Sequence, residues 1–384
     1  MSNVLQDLQK RSLVSSVKSA SCFESNNYFN IDMLSRMHVE NVFEHQGDTL
    51  QHIITCLNWS STGNVLLCGR RNRGVDVFTP FKEQNSTQTF EMGENCVIDA
   101  HFMPRSENLF AVVTQHNAVR EWSLHTMSIM DEYVRIFDVT NETPINSYWF
   151  AGCTRKIVTA HDHPYIVWFN VDRQGRKIGQ VDVREKDVKE LEYMMIDNMN
   201  YHLRNFDINQ LDSNMIAISG YKEVSIFDRR MDSTSSVVSP FKTLNISSDN
   251  TDNLFIYNLK FHPNGRDLLI NYSIDNLFDD MSLVENFKTA SEINIVKSHQ
   301  SDIIVPHFDN LNFLGPTGKF FTVDVLFNNF TMLFETSTLN HVGNISVDRR
   351  FSLCHVSKPH PSICMLACSD KVDVCLMTPT GINF

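Results

Sequence analysis

The sequence predicts an all-β fold, a seven-bladed β-propeller with a short helical N-terminal extension. Three observations carry that prediction. One grammar of strand, polar turn, strand, polar turn and strand recurs along most of the chain. Its aromatic and histidine marks return at a spacing of roughly 40–45 residues, the length of a four-stranded blade. Glycine- and asparagine-bearing turns separate the strands at matching places. A unit of that size cannot bury both of its faces, so neighbouring units cover them and ring closure hides the free edges. Two β-sandwich domains would have a similar number of strands, but their turns need not recur at one interval.

Residues 1–48 read as an extension that is partly helical, and residues 49–384 as the propeller. In the extension Val4 and Leu8 are one helical turn apart, and Phe29, Met33 and Met37 share a second helical face that Asn30 or Asp32 can cap. That helix either lies on the ring or is offered to a partner, with Met33 and Met37 as the candidate docking residues. The clearest repeat is Ile53–Pro80, with turns at Ser61–Gly63 and Arg71–Arg73. Cys96–Leu124, Ala151–Arg173 and Leu211–Arg230 follow. Leu254–Asp280 turns at His262-Pro263-Asn264-Gly265, where Asn-Gly accepts positive φ. Leu311–Glu335 and Phe351–Pro379 complete the series. Trp59 and Phe102 mark one interval, and Phe313 and His355 another. No Trp-Asp dipeptide occurs; Phe227-Asp228 is the nearest substitute, and Trp122 is followed by Ser123. The charged stretch from Arg184 reads as an insert at a blade edge. The Ser- and Asn-rich stretch Asp232–Asn253 reads as a flexible excursion.

Composition narrows the function. The 384 residues carry 45 acidic and 33 basic side chains, a net charge of −12, which disfavours direct nucleic-acid binding. Nine cysteines, an odd number without framework spacing, read as reduced, buried thiols. The first residues lack the apolar core of an export signal, and no run has membrane-spanning length. Phosphate-binding glycine loops, His-Glu-x-x-His and Gly-x-Ser-x-Gly are all absent, so the chain reads as non-enzymatic and without cofactor. His360, Cys364 and Cys368 invite a zinc reading. The even spacing of the cysteines instead puts Cys364, Leu366 and Cys368 on one strand face, so no metal site is expected. His161 and His163 are read as flanking a turn between two strands. Gly69–Gly74, with three arginines, is a basic turn that is either solvated or touches phosphate or an acidic peptide.

The stretch Gly220–Arg230 alternates through Val224, Ile226 and Asp228 and closes on two arginines. Asp228 can accept hydrogen bonds from the following turn. Arg230 points to the same side of an extended chain, where a guanidinium can hold a carboxylate bidentately. It either meets a partner or braces its own ring.

In the order of its segments the chain resembles WD-repeat proteins, and more narrowly the substrate receptors of the cullin-4 RING ubiquitin ligases. It is most similar to the DDB- and cullin-4-associated factor eight branch, as a divergent member. The resemblance runs from about Phe43 to Pro379 through "VFEHQGD", with His45 near the expected blade-opening histidine, "CVIDAHFMP", "AISGYKEVSIFDRRMD", "LKFHPNGRDLLINYS", "NFLGPTGKFF" and "HVSKPHPSICMLACSDKVDVCLMTPTG". It implies a receptor that links a DDB-type adaptor, and through it cullin-4, to a target protein, in nucleus and cytoplasm, without contact to nucleic acid or membrane. In such receptors an Asp-x-Arg box after a blade's Trp contacts the adaptor. Asp228, Arg229 and Arg230 carry that box with Phe227 in place of Trp. In the preceding unit Arg173 fits the arginine, while Val171 stands at the aspartate position. The family's docking helix would fall around Ile31–Glu44. The alternative is a WD-repeat scaffold subunit of another complex, such as a chromatin or methyltransferase assembly.

Overall fold

The computed structural model describes residues 31–43, 53–71, 74–82, 87–93, 95–102, 107–116, 122–129, 134–139, 144–149, 156–161, 166–170, 206–212, 214–219, 223–228, 230, 241–247, 254–274, 278–290, 292–294, 311–324, 330–346, 356–370 and 372–379. Apart from one helical turn at Ile31–Leu34, every regular element among them is a strand. The N-terminal strand β1 is Met37–Phe43. The first sheet is a meander of β2 (Ile54–Trp59), β3 (Leu66–Arg70), β4 (Gly74–Phe78) and β5 (Thr87–Glu91). The next repeats it with β6 (Asn95–Phe102), β7 (Leu109–His116), β8 (Trp122–Ser128) and β9 (Val134–Val139). Strands β10 (Pro144–Trp149), β11 (Lys156–His161) and β12 (Ile166–Asn170) form a third sheet. A fourth holds β13 (Phe206–Ile208), β14 (Met215–Ser219), β15 (Glu223–Asp228) and β16 (Lys242–Ser247). Then come β17 (Leu254–Phe261), β18 (Leu268–Ile274) and β19 (Phe278–Val284), followed by β20 (Glu292–Asn294), which joins β16 in parallel on the fourth sheet. Strands β21 (Leu311–Leu314), β22 (Phe320–Asp324), β23 (Phe330–Glu335) and β24 (His341–Ser346) make the next meander. The last sheet is β25 (Val356–Pro359), β26 (Leu366–Asp370) and β27 (Asp373–Pro379), with β1 on its outer edge.

The first strands of successive sheets lie against one another: β2 on β6, β6 on β10, β10 on β13, β13 on β17, β17 on β21, β21 on β25, and β25 on β2. The sheets therefore close on themselves, with these strands innermost. Burial is greatest in the middle strands and falls on the outermost ones. Strands β3, β4 and β22 are buried at every residue, whereas β5 and β24 are largely exposed. Alternation along a middle strand divides its side chains between two neighbours. Leu66 and Cys68 pack with Ile363, Met365 and Ala367 of the last sheet. Leu67, between them, packs with Val97, Phe102 and Phe110 of the second. Each such apolar side chain contributes about 1.5–3 kcal/mol, and the neighbouring sheets add cover to that given by same-sheet residues such as Leu57 and Val77. In four of the inner strands the register slips in the first half, at Ile54/Cys56, Val97/Asp99, Pro144/Asn146 and Ile256/Asn258. A recurrent bulge of this kind sharpens strand twist.

The turns after the inner strands interlock. His360 accepts at Nδ1 from the amides of Ser362 and Ile363 in its own turn, at 3.1 Å each. Its Nε2 donates across the ring seam to Gly63 O at 3.1 Å. His262 repeats this, accepting from Asn264 N and donating to Gly318 O at 3.2 Å. Asn209 does the same with an amide, accepting from Leu211 N and donating to Gly265 O at 2.7 Å. Gly63 has φ +82°, and a Cβ there would sit 1.9 Å from His360 Nε2, so the position excludes a side chain twice over.

Three expectations need correction. The helix expected through Met37 ends after one turn at Leu34, and Met37–Phe43 is instead β1, paired antiparallel with β27. That edge offers a full ladder of hydrogen bonds, and Met37, Val39 and Val42 gain cover from Ile345, Leu366, Cys368, Cys375 and Met377. A short exposed helix has nothing comparable. A boundary after residue 48 would thus cut through the last sheet. The basic turn is not wholly solvated: Arg70 is 1% exposed, paired with Asp76 at 2.5 Å and donating to Val372 O. The Ser- and Asn-rich stretch contains β16, which pairs with β15 from Glu223↔Asn245 to Ile226↔Lys242. The charged stretch from Arg184, His45 and His163 lie outside the described residues.

Candidate functional site

Strand β15 delivers Asp228 to its site. Val224 and Ile226 are wholly buried and fix the strand in its sheet, and Asp228 ends it opposite Met215, the first residue of β14. The Asp228–Arg230 turn and the turn between β13 and β14 therefore emerge on one face of the ring. The second of these turns carries Asp212.

The Asp228 carboxylate orders its own turn. It accepts from Arg230 N at 3.0 Å, from Arg230 Nε at 2.8 Å and from Arg230 Nη2 at 2.6 Å. Nη2 also donates to Asp212 Oδ2 at 3.1 Å. The Arg230 hydrogen bonds hold the Asp228 carboxyl below its ordinary range, against the opposing effect of burial. The same bonds raise Arg230 further above its already high value. Asp228 is buried, while the Arg230 side chain stays 55% exposed.

Of the two readings of this arginine, bracing is therefore realised within its own sheet. The arginine folds back between two carboxylates of that sheet. Nε and Nη2 are committed, and Nη1 has no hydrogen bond among the described residues. A guanidinium with one edge fixed and one edge outward is oriented in advance for a carbonyl or carboxylate. Leu211, 67% exposed, stands beside Asp212 on the same turn, and Arg266 of the next sheet is also exposed. The surface is thus an apolar side chain next to a pre-oriented fork. Arg229, Arg173 and Val171 lie outside the described residues, so the second box is not part of this geometry. Met33 is partly buried, and Met37 packs with Leu34, Leu314, Phe320, Leu333 and Cys364, so Met37 faces inward.

The histidine and cysteines that invited a zinc reading do not converge. Both His360 nitrogens are engaged in turn contacts, and the ring stands edge-on to Trp59 at 4.9 Å between centroids. Burial pushes the Cys364 thiol up to about 12, away from the thiolate that metal binding needs. Cys368 sits in a different cluster, with Leu366 and Met377.

What sequence reading missed is the interlock of turns. Its signal was present as a polar residue directly after three of the inner strands, at Asn209, His262 and His360. The matching signal is the glycine of the following unit's first turn. No protein-family model matches the chain. No curated protein matches it either. Among solved structures it is similar to the β-propeller domain of Cps50 (Swd1) from Myceliophteria thermophila. The TM-score is 0.66 at 12% identity, over 90% of this chain and 100% of that one. At that identity the likeness shows the fold, which is a β-propeller.

Proposed function

We propose that the chain is a non-enzymatic protein-interaction scaffold whose binding face includes the Asp228–Arg230 turn. The observation that carries this reading is Arg230: more than half exposed, held on one edge by Asp228 and Asp212, and outward on the other. A propeller offers such turns on a rigid ring, so a partner meets a surface that needs little ordering.

Two assignments of the partner remain in play. The narrower one is a substrate receptor that joins a DDB-type adaptor and cullin-4 to a target protein, in nucleus and cytoplasm. It is supported by the intact Asp228-Arg229-Arg230 box and by the order of the resembling segments. The other is a scaffold subunit of a different assembly, of the chromatin or methyltransferase kind. It is supported by the use of Arg230 to brace its own sheet. Affinity purification of tagged wild type and Arg230→Ala from gently lysed cells decides between them. Near-stoichiometric adaptor and cullin-4 with wild type, reduced with Arg230→Ala, establishes the receptor. Other stoichiometric partners without adaptor establish the scaffold. If wild type recovers no stoichiometric partner, the interaction reading itself fails.

A further inference from the structure

The inner strands carry a polar residue at one recurrent place, immediately before Trp59, Phe102, Ile208, Phe261, Phe313 and Pro359. These residues are Asn58, His101, Asp207, Lys260, Asn312 and Lys358. Their hydrogen bonds cross from one inner strand to the next. Asn58 Nδ2 donates to His101 Nδ1 at 2.7 Å, Lys260 Nζ pairs with Asp207 at 3.0 Å, and Lys358 Nζ donates to Asn312 Oδ1 at 3.2 Å. Bonds between equivalent rungs of neighbouring innermost strands require these side chains to share the space around the ring axis.

We propose that this axial rung is a binding site for one oxyanion, a carboxylate or phosphate group, received by Lys358 with Lys260 beside it. The two lysines stand on β25 and β17, either side of β21. The acceptors already present are committed elsewhere. Asp324 accepts from Ser357 N, Ser357 Oγ and Thr331 Oγ1. Asp207 accepts from Phe261 N as well as from Lys260. Asp99 accepts from Ala100 N and His101 Nε2. Lys358, by contrast, has the neutral amide oxygen of Asn312 as its one hydrogen-bond acceptor among the described residues. An ammonium has three donors, so two are left for a ligand. Burial, then the charge of Lys260, bring Lys358 down to about 8; Asp99, Asp207 and Asp324 offset this only in part. An added anion would take the two open donors of Lys358 and answer its charge, which the neutral Asn312 amide does not. The site is separate from the Asp228–Arg230 turn and does not depend on that turn's partner.

The oxyanion has two sources, a free ion or an acidic side chain of a peptide. Calorimetric titration of the full chain with inorganic phosphate, and separately with a glutamate-rich decapeptide, distinguishes them. Binding of phosphate alone assigns a free ion; binding of the peptide alone assigns a side chain. In either case Lys358→Gln should weaken binding about tenfold or more, the loss of one charge-assisted hydrogen bond. Wild-type affinity should fall as pH rises past about 8. Lys358→Arg should bind and lose that fall, since a guanidinium keeps its charge. This pH comparison decides the matter even if Lys358→Gln does not fold. Failure of both probes at millimolar concentration, or equal binding by Lys358→Gln, overturns the site.

Discussion

The seam between the last sheet and the first rests on a side chain and a glycine from opposite ends of the chain, and a double-mutant cycle can measure their coupling. His360→Ala strands Gly63 O and the amides of Ser362 and Ile363 and removes a ring that is 4% exposed. Stranding buried polar groups costs about 1–3 kcal/mol, and losing a buried aromatic ring adds a cavity, so about 4 kcal/mol is expected. Gly63→Ala meets two obstacles. Its φ of +82° costs an L-residue about 1–2 kcal/mol. Its Cβ also falls on His360 Nε2, which must swing away and give up the seam bond, for a total of about 3 kcal/mol. In the His360→Ala background the second obstacle is gone, and Gly63→Ala should cost only the φ component. The cycle should therefore show a coupling of about 1–2 kcal/mol. Gly93 is the control: its φ is +63° with nothing within 4 Å of a Cβ, so Gly93→Ala should cost the φ component in both backgrounds. Urea unfolding of the variants, followed by fluorescence and circular dichroism together, gives the numbers if both probes agree. Additivity of the two seam substitutions within about 0.5 kcal/mol would refute the interlock.

Other outcomes follow from the same structure. Asp228→Ala should lower both thermal stability and partner capture, because the carboxylate orders the turn. Arg230→Ala should reduce capture with a smaller thermal change; unchanged capture would remove it from the interface. The Asp228 carboxyl is held below its ordinary value, so as pH falls the unfolded chain takes up the proton first. The stability this adds is complete above the unfolded value of about 3.9 and disappears as pH falls through the folded one. Melting temperatures of wild type and Asp228→Asn should thus differ at pH 6, begin to approach one another near about pH 4, and converge only once pH has fallen through the lower folded value; a constant gap would contradict the linkage. Deleting residues 1–43 should leave β27 as a bare edge and produce concentration-dependent association in light scattering. A monomeric truncate of unchanged stability would show that β1 is dispensable. Purified protein should carry no stoichiometric zinc, and about one zinc per chain by elemental analysis would reverse the reading of His360 and the cysteines.

The propeller was legible because its signals are local and repeated. Ser61–Gly63 and His262–Gly265 announce hairpins from a few residues each, and period-two runs such as Val224–Ile226 announce strands. Two elements were hidden for opposite reasons. Met37–Phe43 is a strand because β27 presents an edge more than three hundred residues away, and nothing local to "MHVENVF" records that edge. Strand β16 was local enough, but six residues from Lys242 to Ser247 sit inside a composition that reads as linker. Similarly, Arg70 looked like part of a solvated cluster because one acceptor, Val372 O, belongs to the other end of the chain, and the other, Asp76, meets it only through the β3–β4 pairing.

The candidate site shows the same division between local and distant information. That Asp228 caps the turn it ends was readable, since donor and acceptor lie two residues apart. That Arg230 is held by a second carboxylate was not, because Asp212 arrives through the β14–β15 pairing. This second contact changes what the arginine can do. A lone exposed arginine would lose side-chain entropy on meeting a partner and would discriminate poorly among acceptors. Held by two carboxylates, it has that ordering already in place and much of its charge balanced within its own sheet. A partner would therefore have to match the direction of the outward Nη1 edge, with Leu211 beside it, and could not rely on bulk charge attraction. On the proposed interface, bracing and binding would be consecutive roles of one residue: the first orients the guanidinium, and the second would use the orientation.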